Sequence, residues 1–180
     1  MLLLISLLVP LISKAQISLV KTKVNDDISL KIPDTFTSLT TGERVNKFVS
    51  SKTPLAIYSS IDREVDLGIN TNIMQWISGD EETLRGFYKA SFETLFDEVT
   101  YLQDTIKVIN GKKFIVFEFV SSLKDENAFS GAKFSKNYTY IQYTSYKGQI
   151  LLFNLGCKGR LMDQWRPVAR EIMESVQVKK

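Results

Sequence analysis

The chain has 180 residues, of which 44% are hydrophobic and 24% charged, and a formal net charge of +3. That is the balance of one globular domain, long enough to bury roughly 70% of its unfolded surface without disulfide or metal staples. Lysine and arginine are interspersed with aspartate and glutamate, with no run of five like charges, which excludes the clustered cations of a nucleic-acid footprint.

The N-terminus reads MLLLISLLVPLISKAQ. Residues 2–12 form an apolar stretch of signal-peptide length, too short to span a bilayer. Ser13-Lys14-Ala15 then puts small residues at −3 and −1. The pattern predicts a signal peptide over residues 1–15, cleaved before Gln16, and a single domain over 16–180. No Lys or Arg precedes the apolar run, so an N-terminal core strand or helix is the alternative reading. No cysteine lies near the cleavage point, so the signal is not of the lipoprotein type. The expected destination is the periplasm or the medium of a bacterium, with no membrane span left after cleavage. Cys157 is the chain's one cysteine, so no internal disulfide can form. It follows an apolar strand, the setting of an inert buried thiol.

In chain order, residues 16–27 read as a leader strand or an ordered tail. ISLKI at 28–32 alternates and stops at Pro33-Asp34, a strand with one face buried. Val45, Phe48 and Val49 fit a short amphipathic helix. Residues 55–61 and 66–76 form a hairpin around Asp62-Arg63-Glu64. Asp80-Glu81-Glu82 opens a helix predicted over 81–97, with Leu84, Phe87, Tyr88, Phe92 and Leu95 on its apolar stripe. Asn110-Gly111 joins strands at 99–109 and 112–123, since both positions of its tight turn take positive φ. In the second of these, the side with Phe117 and Phe119 reads as the more buried, opposite Phe114, Val116 and Glu118. KDENAFSGAKFSKN at 124–137 is a polar loop with two phenylalanines. Strands at 138–146 and 149–157 meet at Lys147-Gly148. A closing amphipathic helix lies near 163–176, with Pro167 in its first turn.

Sequential hairpins make a mostly antiparallel sheet, and helices at three places cover it. The order is that of an α+β protein, an αβα sandwich around a central sheet of six to seven strands. The segments ISLKIPDTF, LAIYSSIDREVDLGINTN, FETLFDEV, INGKKFIVFEF, YTYIQYTSYKGQILLFNLGCKG and REIMESVQV carry a resemblance. In order and pattern, over residues 18–178, the chain resembles the PsbP-like superfamily. That group includes the photosystem II extrinsic subunit, the factor that releases nucleotide from the GTPase Ran, and exported bacterial proteins. The resemblance implies the fold. It brings no catalytic motif and carries over no functional residue.

The chain has no histidine. That removes Ser-His-Asp and Cys-His catalysis and histidine metal sites. Cys157 has Lys158 beside it but no base placed nearby in sequence. Asp62, Glu64 and Asp66 alternate in the first hairpin, and Asp80, Glu81 and Glu82 cluster at a helix start. They read as a soluble turn tip and a helix N-terminus, with hard-cation binding as the alternative, although position 67, where a calcium loop takes Gly, is Leu. There is no GxxxxGK[ST] and no GxGxxG. Asn137-Tyr138-Thr139 is a glycosylation-type triplet, relevant only to a eukaryotic secretory route.

No catalytic residue, cofactor or metal is therefore expected. Tyr138, Tyr140, Tyr143 and Tyr146 either line a groove beside the 124–137 loop or cover the sheet under helices. Tyr138, Tyr140 and Tyr146 point one way and Tyr143 the other. The strand after them is apolar on both sides, which makes it a central one covered twice. Any binding surface would begin at Tyr138 and Tyr140, with Phe129 and Phe134 of the loop. The expected function is that of an exported, non-enzymatic binding or accessory protein of the envelope, with a protein partner. The alternative is a small-ligand or lipid-binding module using a pocket between sheet and helices.

Overall fold

The computed structural model describes residues 17–40, Glu43, 53–75, 79–125 and 133–179. The expected signal peptide, the helix through Val45, Phe48 and Val49, and Phe129 lie outside the described residues.

The strands are β1 (Leu19–Lys23), β2 (Ile28–Pro33), β3 (Thr37–Ser38), β4 (Ala56–Ser59), β5 (Val65–Gln75), β6 (Glu98–Ile109), β7 (Lys112–Asp125), β8 (Lys133–Tyr146), β9 (Gln149–Lys158) and β10 (Gln177–Val178). Two helices are described, α1 (Glu81–Leu95) and α2 (Met162–Glu174), the second led in by a 3-10 turn at Gly159–Leu161. Seven strands form the main sheet in the order β3-β4-β5-β9-β8-β7-β6, and β1-β2-β10 form a small second sheet. Every pairing is antiparallel. The chain makes one hairpin, crosses through α1 to the far edge, and meanders back until β9 pairs with β5.

Turn chemistry sets the registers. Asn110 and Gly111 take φ of 47° and 82°, and Lys147 and Gly148 take 50° and 74°. Two-residue turns with both positions left-handed match the twist of the strands they join. The 124–137 segment is not a loop throughout. β7 runs on to Asp125 and β8 starts at Lys133, with Lys124 opposite Phe134. Polar side chains hid this ribbon because strand pairing is carried by the backbone.

Two cores flank the sheet. On one face α1 lays Tyr88 and Phe92 over Phe117, Phe119, Ile141 and Tyr143. Tyr88 and Tyr143 stack with ring centroids 3.9 Å apart, and Phe92 meets Phe117 edge-on at 5.3 Å. On the other face α2 and β2 cover Leu67, Phe153, Leu155, Tyr138 and Tyr140, with Trp165, Ala169 and Ile172 facing down from α2. Both sides of β7 are thus buried, Glu118 among them, rather than one side more than the other.

The helix ends differ from expectation in two ways. Asp80 precedes α1 and its carbonyl accepts from the Leu84 N–H (2.9 Å), but its side chain makes no cap. Pro167 stands in the second turn of α2, not the first, so the Asp163 carbonyl loses its helical donor there.

Candidate binding groove

Among the described residues, the α1 face of the sheet is covered over only half its width. Along β9 the side chains pointing to that face are Ile150, Leu152, Asn154, Gly156 and Lys158. Ile150 is fully buried, whereas Asn154 and Lys158 are exposed. β9 is central, as its two partners demand, but it is covered twice only at its start. The expected double cover therefore holds only at the start of β9, because Tyr88 and Phe92 of α1 pack over β7, β8 and Ile150.

The uncovered half is a hollow of about 710 Å³. Register defines its floor. Gly68 pairs with Asn154 and Asp66 with Gly156 across β5 and β9, while Thr139 pairs with Gly156 and Asn137 with Lys158 across β8 and β9. Ile57 and Pro54 close the end on the β4 side. The two glycines make the depression. A Cβ on Gly156 would meet the Tyr138 carbonyl at 3.8 Å, and one on Gly68 would meet Asn70 Nδ2 at 3.7 Å, ordinary contact distances at which a side chain fits. Gly159, just beyond, is of another kind: its Cβ would lie 3.0 Å from Lys136 Cβ, so there the chains need the close approach.

The polar groups on this floor are unspent. Among the described residues no side-chain hydrogen bond engages Asn70, Asn137, Thr139 or Asn154. Of the charges around the rim, Arg63, Asp62, Glu64 and Asp66 are engaged, whereas Lys158 has no ion pair among the described residues. Arg63 Nη1 donates to Thr37 Oγ1 (2.7 Å) and Nη2 to Glu43 Oε1 (2.8 Å). Arg160 pairs with Glu64. Asp66 accepts from Ser59 Oγ (2.7 Å). Asp62 accepts from Ser60 Oγ (2.5 Å), which, with the Glu64 backbone N–H, holds its carboxyl below the usual value. Each of these three carboxylates thus has its own partner, and among the described residues no group of three His, Cys, Asp or Glu side chains is arranged to hold a metal. At the α1 start, Glu81 is buried beside Lys113 and Glu82 pairs with Arg85, again apart. Three carboxamides and a hydroxyl can instead donate to and accept from a polar ligand, with the Lys158 ammonium at the edge.

The expected binding surface lies elsewhere. Tyr138 and Tyr140 have no exposed surface. They sit under α2, where the Tyr138 hydroxyl donates to Glu118 Oε1 (3.1 Å) and the Tyr140 hydroxyl to Gln103 Oε1 (3.5 Å). Burial first, then the Glu118 charge, pushes the Tyr138 phenol far up. Their parity was legible, with Tyr143 on the opposite face, but parity alone does not say which face a helix covers. Both rings belong to the core, so Tyr138 meets the groove only through its backbone, whose carbonyl would lie 3.8 Å from a Gly156 Cβ. Phe134 is backbone-paired in β8, and its side chain, like Phe129, lies outside what is described. Cys157 is buried in the α2-side core, and burial pushes its thiol up to about 11.

The reading missed the groove, yet a signal was present. VDLGIN and FNLGCK each carry glycine on the polar face of an alternating strand, where an exposed face ordinarily carries a β-branched or charged side chain. It also missed the clasp under α2. Glu118 has no exposed surface and receives Arg166 Nε at 2.6 Å and Arg170 Nη2 at 2.8 Å. A lone glutamate in FIVFEFV with two arginines four apart on a later helix is the trace of it.

No protein-family model matches the chain, and no curated protein does. Solved structures do. Cyanobacterial PsbP (CyanoP) from Synechocystis sp. PCC 6803 matches at 11% identity and a TM-score of 0.60, over 92% of this chain and 95% of that one. LpqN, involved in cell envelope biogenesis of Mycobacterium tuberculosis, matches at 12% identity and 0.54, over 91% and 92%. The protein of unknown function PA94 from Pseudomonas aeruginosa matches at 11% and 0.51, over 87% and 94%. At such identities what is shared is the fold. It is the α+β fold of PsbP, as the order of segments implied.

Proposed function

We propose that this chain, which carries the PsbP-like fold, is an exported, non-enzymatic binding protein that takes a polar, hydrogen-bonding ligand in the groove over β5 and β9. The observation that carries this is the hollow floor itself: Gly68 and Gly156 leave space beside three carboxamides and a hydroxyl that have no partner among the described residues. A glycine inside a strand costs about 0.5–1 kcal/mol relative to a residue with a side chain. Two of them in register on one face, where side chains would fit, favour a reason other than folding. The polar floor favours hydrogen-bonded ligands over an acyl chain. A non-enzymatic role is supported by the histidine-free sequence and by carboxylates each engaged by a separate partner. Action outside the cytoplasm is supported by the N-terminal sequence pattern and by the likeness to a protein of cell envelope biogenesis. Among the described residues no helix is long and apolar enough to cross a membrane.

Native mass spectrometry of the wild-type protein and of Gly156→Val, each incubated with the small-molecule extract of envelope fractions, tests the groove. Adducts on the wild type alone are expected; adducts on both, or on neither, overturn it. Export is tested by N-terminal sequencing of the mature chain, which is expected to begin at Gln16. A retained Met1 overturns it.

A further inference from the structure

The opposite end of the β8–β9 hairpin holds a second cavity, of about 330 Å³, into which Lys112, Lys147 and Lys179 converge with Asp27. It lies where the β6–β7 and β8–β9 turns meet the C-terminal strand, remote from the groove along β8. The charges there do not balance. Asp27 Oδ2 is taken by Lys147 Nζ at 2.8 Å and by the Tyr146 hydroxyl at 2.9 Å. The Lys179 backbone N–H donates to the Asp27 carbonyl at 2.9 Å, which brings the Lys179 side chain to the same place. Neither Lys112 nor Lys179 has a carboxylate within ion-pair distance among the described residues. Lys112 is half-buried, and its ammonium donates to a single neutral group, the Ser145 carbonyl (2.8 Å).

An ammonium carries three donors, so Lys112 has two to spare in a place where burial already pushes its charged form down. Gly148 lies at the cavity wall, and no atom would stand within 4 Å of a Cβ there, so the opening is free. Two unmatched cations beside an engaged third make a point-charge cluster for a compact ligand of charge near −2. Lysine serves such ligands well because it needs no fixed fork geometry.

We propose that this cavity binds a phosphate-class oxyanion, held by Lys112, Lys147 and Lys179, with Asp27 as the competing internal anion. The group is either free phosphate or the headgroup of a phosphate monoester lipid, since the same ammonium cluster serves both.

The test is titration of the full chain with inorganic phosphate, followed by calorimetry and by amide shifts, in wild type, Lys112→Gln, Lys179→Gln and Asp27→Asn. Lys112→Gln is expected to weaken binding about tenfold or more, the size of one charge-assisted hydrogen bond. Asp27→Asn is expected to tighten it, because it removes the internal competitor, and a merely structural role for Asp27 would not do that. Lys179→Gln keeps the question open to measurement should Asp27→Asn fail to fold. Co-sedimentation with phosphatidate vesicles, against phosphatidylcholine vesicles, identifies the source. Retention on phosphatidate lost in Lys112→Gln assigns a lipid headgroup, and saturable phosphate binding without retention assigns the free ion. Absence of saturable phosphate binding to the wild type, or equal affinity in the wild type and both lysine variants, overturns the proposal.

Discussion

Arg170, on the closing helix, donates to Glu118, in the middle of β7, through both Nε (3.1 Å) and Nη2 (2.8 Å), and Glu118 has no exposed surface. Arg166, one turn earlier, takes the other carboxylate oxygen together with the Tyr138 hydroxyl. One buried anion thus fixes the height and rotation of α2 over the sheet.

The two sides of this clasp differ in exposure, and so in what their loss costs. Arg166 and Arg170 are about a third and nearly a half exposed, at 33% and 44%. In Glu118→Leu both guanidiniums can turn to water, and what remains is the buried Tyr138 hydroxyl without its acceptor, a loss of about 1–3 kcal/mol. Removing both arginines instead leaves a buried carboxylate with one hydroxyl, a loss of about 3–5 kcal/mol. Urea unfolding of Glu118→Leu and of the Arg166→Ala/Arg170→Ala double variant checks the order. A double variant no less stable than Glu118→Leu would remove the argument.

Gly156→Val should raise stability while it closes the groove. The position has ordinary β conformation, and the nearest atom to a new Cβ is 3.8 Å away. A gain of about 0.5–1 kcal/mol is expected from the lost chain entropy and better strand preference. Gly159→Ala should do the reverse, since its Cβ would press on Lys136. Thermal unfolding of the pair decides: equal signs for both would show that the groove glycines, too, are required by packing.

Cys157 should be silent toward thiol reagents in the native protein. It is 6% exposed and burial holds its thiol at about 11, against an ordinary 9.0. Reaction with a disulfide reagent at pH 8 is expected only on the timescale of unfolding, and to become immediate in denaturant. A value raised in the folded state contributes stability below pH 9 that is lost as pH rises through about 11. Cys157→Ser should therefore differ most from the wild type at neutral pH. Rapid native labelling would contradict the buried placement.

Asp104 on β6 ties α1 to the sheet edge. Burial favours its neutral form, but hydrogen bonds from Arg85 Nε (2.5 Å) and Lys89 Nζ (2.9 Å) outweigh that and hold it below the ordinary 3.8. A lowered carboxyl contributes stability that is full at neutral pH and lost as pH falls through the folded-state value. The stability gap between wild type and Asp104→Asn should therefore be wide at pH 7 and narrower at pH 3, below the ordinary 3.8. Urea curves at the two pH values check this, and a gap that widens in acid would refute the assignment.

The sequence by itself determined the tight hairpins and the amphipathic helices. Asn110-Gly111 and Lys147-Gly148 specify their hairpins through backbone conformations that few residues adopt, and the period of Tyr88 and Phe92 specifies a helix with one buried stripe. These are short-range effects, and they sufficed for the antiparallel sheet and for the resemblance that the solved structures carry. Only the tertiary structure decided which faces are covered. Tyr138 and Tyr140 belong to the core because α2 returns over them, and Glu118 can be buried because two arginines far along the chain meet it there. Gly68 and Gly156 are neighbours because β9 pairs with β5 across a long crossover, and they lie open because α1 stops short of them. Local alternation tells that a strand has two faces. Which face meets a helix and which meets water depends on contacts between residues distant in sequence, and the groove and the lysine cavity both arise at that level.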